Sequence, residues 1–246
     1  MIDRSRILIT GANGIVGSYI DFGIRTDSAE MNILDREGVM RCMREQRPLA
    51  VIHLAAATDL DRCEESPTYA YELNAIGTHN VASAARAVGA KIVLVSTSGL
   101  FNGTKESPYT TDDAPDPQNV YGRSKFMAEG FVQGLDAAHL IVRGCWIFGG
   151  GKARDTKFVG KVVAQLDNPV VKALDDVTGS PTYAKDFVAG IMRLLDEGKS
   201  GVFHINNQGA ATRADVALHI ATILKPVVRV EAVQGSYFNL SANRLK

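Results

Sequence analysis

Tyr121 and Lys125 stand four residues apart in the segment YGRSK, at the start of a stretch that reads as a helix. A spacing of four puts the phenol and the ammonium on one helical face. The chemistry open to such a pair is proton donation. A free tyrosine ionises near roughly pH 10, too high for ready exchange at neutrality, and a lysine charge a few ångströms away favours the phenolate and lowers that value. A solvated Tyr and Lys on a surface helix would show the same spacing. Just ahead, an apolar run ends in Thr97, with Ser96 and Ser98 as rival hydroxyls.

A second group of residues points to phosphate. Residues 7 to 17 read ILITGANGIVG, a β-branched apolar run passing directly into Gly11, Gly14 and Gly17. A parallel strand buried on both faces needs such a run. The first glycine permits a tight turn, the second lets backbone approach a pyrophosphate, and the third lets the following helix pack close to the strand. The N-terminus of that helix offers N–H groups and partial positive charge, so Gly11, Asn13, Gly14, Ile15 and Val16 are read as lining a dinucleotide. The next strand ends FGIRTDS. An arginine there can accept a 2′-phosphate and a carboxylate can bond a 2′-hydroxyl; Arg25 therefore suggests NADPH, Asp27 keeps NADH open, and a solvent-facing charge is the plain alternative for Arg25.

The elements that must hold these groups follow from hydrophobic periodicity. Strands are expected at 7–10, 22–25, 50–54, 91–96, 139–143, 170–174 and 201–206. Helices are expected from 15, and at 36–46, 68–88, from Tyr121, 156–166, 183–197 and 213–224, the last capped by Thr212 and Asp215. Because the link from Gly17 to the second strand is brief, the first helix should be only one or two turns long. Pro108, Pro115 and Pro117 mark 102–119 as a loop. The alternation implies a Rossmann-like, doubly wound α/β fold with a parallel sheet.

Composition narrows the partners. The 246 residues, 46% hydrophobic and 22% charged, suit one large domain or a domain with a small appendage. The 27 basic and 27 acidic residues cancel, so nothing draws the chain to nucleic acid or an anionic membrane. No apolar stretch is long enough for a membrane span, and MIDRSRILIT enters the first strand without a signal pattern, which predicts a cytoplasmic location. Cys42, Cys63 and Cys145 suit reduced thiols, and the five histidines show no metal-binding spacing. A homodimer is the commonest closed assembly for such a chain.

TGANGIVG, HLAAA (53–57), Asn74, STSGLFNG, YGRSK, RGCWIFG (143–149) and GSPTYAKDFVAGIMRLL, in this order, resemble the extended short-chain dehydrogenase/reductases, in particular the dTDP-4-dehydrorhamnose reductase family. The resemblance implies reduction of a keto group on a nucleotide-activated sugar. Thr97, counted back from Phe101, would hold the carbonyl oxygen, Tyr121 would supply the proton, and Lys125 would tune Tyr121 and bond the nicotinamide ribose. Asn32 and Ile33 would frame adenine, Ala55, Ala56 and Ala57 would line the pyrophosphate, and Asn74 would support the site. Ser98, Trp146 and Thr182 would face the substrate. The same likeness implies a dinucleotide domain of 1–145 and 183–206, with a small discontinuous substrate lobe of 146–182 and 207–246. The chain departs from the family at Ser98-Gly99, where an acidic and an aromatic residue are usual, and in GSYFNLSANRLK, which lacks an arginine at the matching place. A sugar-nucleotide epimerase and a non-catalytic NADP-binding regulatory subunit are the alternatives.

Overall fold

The computed structural model describes residues 1–135, 138–238 and 241–242. In chain order the elements are β1 (Ile7–Thr10), β2 (Ile24–Thr26), α1 (Arg36–Gln46), β3 (Ala50–His53), α2 (Leu60–Glu65), α3 (Pro67–Tyr71), α4 (Gly77–Ala87), β4 (Lys91–Thr97), α5 (Val120–Leu135) and β5 (Leu140–Gly144). They continue as β6 (Ile147–Phe148), α6 (Phe158–Gln165), β7 (Val170–Leu174), β8 (Thr178–Gly179), β9 (Thr182–Tyr183), α7 (Ala184–Asp196), β10 (Gly201–His204), β11 (Ala211–Thr212), α8 (Arg213–Leu224) and β12 (Arg229–Val233).

Six strands form one sheet in the order β10-β5-β4-β3-β1-β2, every neighbouring pair parallel. The apolar runs of β1, β3 and β5 are buried along their whole length, as helices on both faces require. Alternate residues divide between two cores. Leu8, Val51, Ile92, Leu94 and Ile141 meet Val39 and Met43 of α1, Val81 and Ala85 of α4, and Ala128 and Val132 of α5. Ile7, Ile9, Ile52, Val93 and Val142 meet Phe187, Val188, Ile191 and Leu195 of α7. The doubly wound fold expected from periodicity is the fold observed.

Two expected elements differ. The helix expected over 68–88 is α3, a π-helical turn at Glu72–Ile76 and α4 in succession, and an unforeseen α2 precedes it, capped by the Asp59 side chain. The larger difference lies between β1 and β2. Instead of an α-helix of one or two turns, the chain forms a single 3-10 turn at Gly17–Tyr19 and then runs extended to β2, which begins at Ile24. Residues 11 to 23 must both make the glycine loop and travel back along the sheet. An α-helix advances only about 1.5 Å per residue, against about 2.0 Å for the 3-10 form and more for extended chain, so the short link is spent on reach.

Beyond the sheet, β7 pairs with β12 in parallel and β8 with β11 antiparallel. Val162 and Leu166 of α6, Val171 and Ala173 of β7, Ala217 and Ala221 of α8, and Val228 form a separate apolar cluster there. The expected Thr212–Asp215 capping box starts α8. Among the described residues no helix is long and apolar enough to cross a membrane.

Candidate functional site

The two expected groups of residues meet at the carboxyl ends of the parallel strands. On one side, Thr97 closes β4 and its Oγ1 accepts from the Gly99 amide at 3.0 Å. The start of α5 lies against this turn because Gly122 lacks a side chain: a Cβ there would stand 2.3 Å from the Gly99 carbonyl oxygen. Asn119 Oδ1 accepts from the Gly122 amide at 2.8 Å, and Glu64 of α2 accepts from the Val120 amide at 2.7 Å. So placed, Tyr121 and Thr97 come together over Gly99, where a Cβ would stand 3.7 Å from Tyr121 Cε1 and 3.3 Å from Thr97 Oγ1. Lys125, one turn along α5, is only 3% exposed.

The electrostatics correct one expectation. Burial pushes the Tyr121 phenol up to about 12, opposed by the neighbouring Thr97 hydroxyl and reinforced by nearby Cys63. Lys125 is not among the groups that act on it, so the expected lowering is not found. Burial also draws Lys125 down to about 8, with Glu129 pulling it back up. Desolvation dominates for both groups. Tyr121 thus holds its proton firmly at neutral pH, the state in which it can act as an acid.

A buried polar network, largely missed by sequence reasoning, fixes this side. Asn74, in the π-helical turn, accepts from the Ala57 amide at 2.7 Å and donates to the Ala57 carbonyl at 3.0 Å and to Ser124 Oγ at 2.9 Å. Ser124 Oγ in turn donates to the Tyr121 carbonyl at 2.8 Å. One amide therefore ties the loop after β3 to the helix bearing Tyr121, the supporting role expected of Asn74; π-helical turns recur at such places. His53 lies between Thr10 (2.7 Å) and Thr78 (3.0 Å). Thr78 spends its proton on the Asn74 carbonyl at 2.6 Å, so His53 Nε2 must carry a hydrogen and Nδ1 must accept from Thr10. The imidazole is neutral, its pKa drawn down to about 3 by burial and then by the Lys125 charge. Deeper still, Arg143 and Glu129 form a two-pronged buried ion pair at 2.7 and 3.0 Å. Ser124 was visible within YGRSK and His53 within HLAAA, but nothing local reveals that they share partners.

On the other side lies the crevice between β1 and β3, where the chain leaves β1 for β2 on one flank and returns as β3 on the other. Ligands of open α/β sheets sit at such a switch point. Gly11 has a φ of 64°, and a Cβ on it would lie 2.7 Å from the Ala55 nitrogen, so the two loops touch backbone to backbone. Gly14 faces outward, Ile15 and Val16 are half-buried, and exposed Asn13 donates to Asp27 Oδ2 at 2.8 Å. Gly17 serves the loop's own fold and not helix–strand packing: its Cβ would meet the Ala12 oxygen at 2.4 Å. Ala55 and Ala56 are half-buried and Ala57 buried. The Gly11–Ala55 contact that a side chain would block, and the amides of Asn13, Ile15 and Val16, which meet no backbone acceptor among the described residues, fit a dinucleotide lying across both loops.

Four expected contacts are placed otherwise. Arg25 does not reach outward for a 2′-phosphate; its guanidinium donates to the carbonyls of Ala12 and Gly17, each at 2.9 Å, and of Ile20. Ile33 buries its side chain in the core against the Cα of Gly77, where a Cβ would lie 2.5 Å from it. Its neighbour Asn32 turns its side chain to the Leu34 amide at 3.0 Å. Thr182 is fully buried and donates to the Ser180 carbonyl at 3.0 Å, which closes it to a ligand. Ser98 and Trp146 are half-buried. Trp146 holds a left-handed backbone, φ 44°, its ring covered by Arg213 at 4.1 Å and seated on Gly179, where a Cβ would stand 2.6 Å away. Such backbone strain collects at ligand sites.

A doubly wound sheet carrying Thr, Tyr and Lys at its carboxyl edge, beside a glycine loop at the switch point, defines a dinucleotide-binding protein of the short-chain dehydrogenase/reductase type. The comparison with known families makes this specific: residues 5–246 match the RmlD substrate binding domain, and the chain belongs to that family. The chain is 35% identical over 227 residues to the dTDP-4-dehydrorhamnose reductase of Mycobacterium tuberculosis, covering 87% of this chain and 74% of the relative. With the dTDP-4-dehydrorhamnose reductase of Mycolicibacterium smegmatis it shares 33% over 222 residues, 86% of this chain and 67% of the relative. Among solved structures, the dTDP-4-dehydrorhamnose reductase of Bacillus anthracis in complex with NADP superposes with a TM-score of 0.93 at 32% identity, covering 99% of this chain and 89% of that one.

Proposed function

We propose that the chain reduces the keto group of a nucleotide-activated sugar with NADPH, in the manner of the dTDP-4-dehydrorhamnose reductases. What supports this is the approach of Thr97 and Tyr121 to each other over Gly99 at the end of β4, with Lys125 one turn along α5, in a chain of that family. Bound NADPH would supply hydride to the carbonyl carbon. As charge grows on the carbonyl oxygen, Tyr121 donates its proton and Thr97 donates a hydrogen bond that strengthens with that charge. Lys125 holds the nicotinamide ribose in register. Ser98 and Trp146 border the sugar, and the segments 146–182 and 207–246 form the substrate lobe, a division supported by their mutual strand pairing and separate apolar cluster. The free thiols of Cys42, Cys63 and Cys145 suit a reducing, cytoplasmic compartment.

Mixing the purified chain with NADPH and a dTDP-4-keto-6-deoxy sugar, and following NADPH absorbance, tests the reading. Consumption of NADPH with appearance of the hydroxylated sugar is expected. Tight binding of NADPH with no turnover on any keto-sugar nucleotide would replace the reductase with a binding module, and NAD copurifying with the chain would point to an epimerase.

A further inference from the structure

The first crossover lacks the α-helix whose N-terminus ordinarily faces the pyrophosphate, and Arg25 occupies the gap. Its guanidinium gathers the carbonyls of Ala12, at the start of the glycine loop, of Gly17, at the start of the 3-10 turn that stands where that helix would run, and of Ile20, just past that turn. Backbone bonds complete the knot: Ala12 donates to the Thr26 carbonyl at 3.1 Å, Ser18 to Gly14 at 3.0 Å and Ile20 to Gly17 at 3.1 Å. A 3-10 turn of three residues has no useful dipole and cannot hold a loop by its own ladder. Arginine can, because its planar fork donates in several fixed directions at once. With the carbonyls drawn to Arg25, the amides of Asn13, Ile15 and Val16 have no backbone acceptor among the described residues, which is the state of an anion-binding loop.

We infer that Arg25 is the positioning residue of the dinucleotide loop: it replaces the missing first helix as the brace and the positive charge behind the pyrophosphate subsite, and it does not read the 2′-phosphate. This rests on the dinucleotide reading proposed above. It also follows that Arg25 favours NADPH and NADH alike, because the pyrophosphate is common to both.

Fluorescence titration of the full chain with NADPH and with NADH, well below the unfolding temperature, tests the inference on wild type, Arg25→Gln and Arg25→Lys. The expected result is weakening of both cofactors by the same factor in Arg25→Gln, on the order of tenfold or more for the loss of charge-assisted bonds, with an unchanged NADPH-to-NADH affinity ratio. Arg25→Lys, which keeps the charge but not the fork, should fall between and guards against a Gln variant that does not fold. A purely structural role would lower thermal stability and leave the affinities alone, which overturns the inference. Loss confined to NADPH would restore Arg25 as the 2′-phosphate reader and overturn it equally. Wild-type protein binding neither cofactor would remove the dinucleotide reading itself, and this inference with it.

Discussion

The crossovers flanking the site, from β1 to β2 and from β4 to β5, build its two halves by opposite means. The second is a full helix, α5, whose inner face is buried and whose polar groups are bound into the Asn74–Ser124 and Arg143–Glu129 links. The first is a glycine loop, one 3-10 turn and an arginine that ties three carbonyls. Proton transfer needs a group held to within a fraction of an ångström, and a buried, fully bonded helix provides that. Phosphate is recognised by backbone amides and positive charge, which a short braced loop can present. On the proposed function, the difference teaches that the helix half carries stability as well as chemistry, whereas the loop half carries affinity and little stability.

The sharpest break is Tyr121→Phe. It should cut turnover by about 10²- to 10⁴-fold and leave NADPH affinity nearly intact, as read by steady-state rates beside a fluorescence titration; turnover unchanged would remove Tyr121 from the chemistry. Next, Glu129→Ala leaves the Arg143 guanidinium buried without its partner and should cost about 3–5 kcal/mol in urea unfolding. Replacing both residues with apolar ones of similar size should recover most of that loss.

Asn74→Ala strips the Ala57 amide of its partner and leaves its carbonyl only the Cys63 thiol, at about 1–3 kcal/mol for the amide, and should slow catalysis because Ser124 and the Tyr121 backbone lose their link. A stable, fully active variant would show that the network is not what positions α5.

His53 predicts a pH dependence on the same side. The unfolded chain takes up a proton below about pH 6.5, whereas the folded imidazole resists protonation down to about 3. The unfolded state therefore binds more protons in that window, and stability falls as pH drops through it. Between pH 7 and pH 5 this group should remove about 2 kcal/mol, and His53→Gln should abolish that part of the slope in urea titrations at the two pH values. The smallest stability effect belongs to the loop half. Gly14→Ala, at an exposed position where a Cβ would stand 3.3 Å from the Gly11 carbonyl oxygen, should cost under about 1 kcal/mol while weakening NADPH at least tenfold. Should stability collapse there as it does for Glu129→Ala, the contrast between the halves fails.

Much of this was legible in the chain itself. The apolar runs of β1, β3, β4 and β5 could only be buried parallel strands, the i, i+4 spacing put Tyr121 and Lys125 on one face, and Thr212 with Asp215 announced α8. Local chemistry decides such features, because strand burial, helical periodicity and capping involve neighbours in sequence. Arg25 and Thr182 were misjudged for the complementary reason. The fate of a guanidinium or a hydroxyl depends on which carbonyls the fold brings to it, and for Arg25 these were exposed by a helix that never formed. The acidity of Tyr121 was misjudged likewise, since it is set by burial among residues distant in sequence and not by the lysine one turn away. By itself the sequence determined the sheet, its order of elements and the residues proposed to react. Only the tertiary structure decided which of those groups face a ligand, which are consumed in holding the fold, and how firmly Tyr121 keeps its proton, because burial and hydrogen-bond partners are properties of the packed chain.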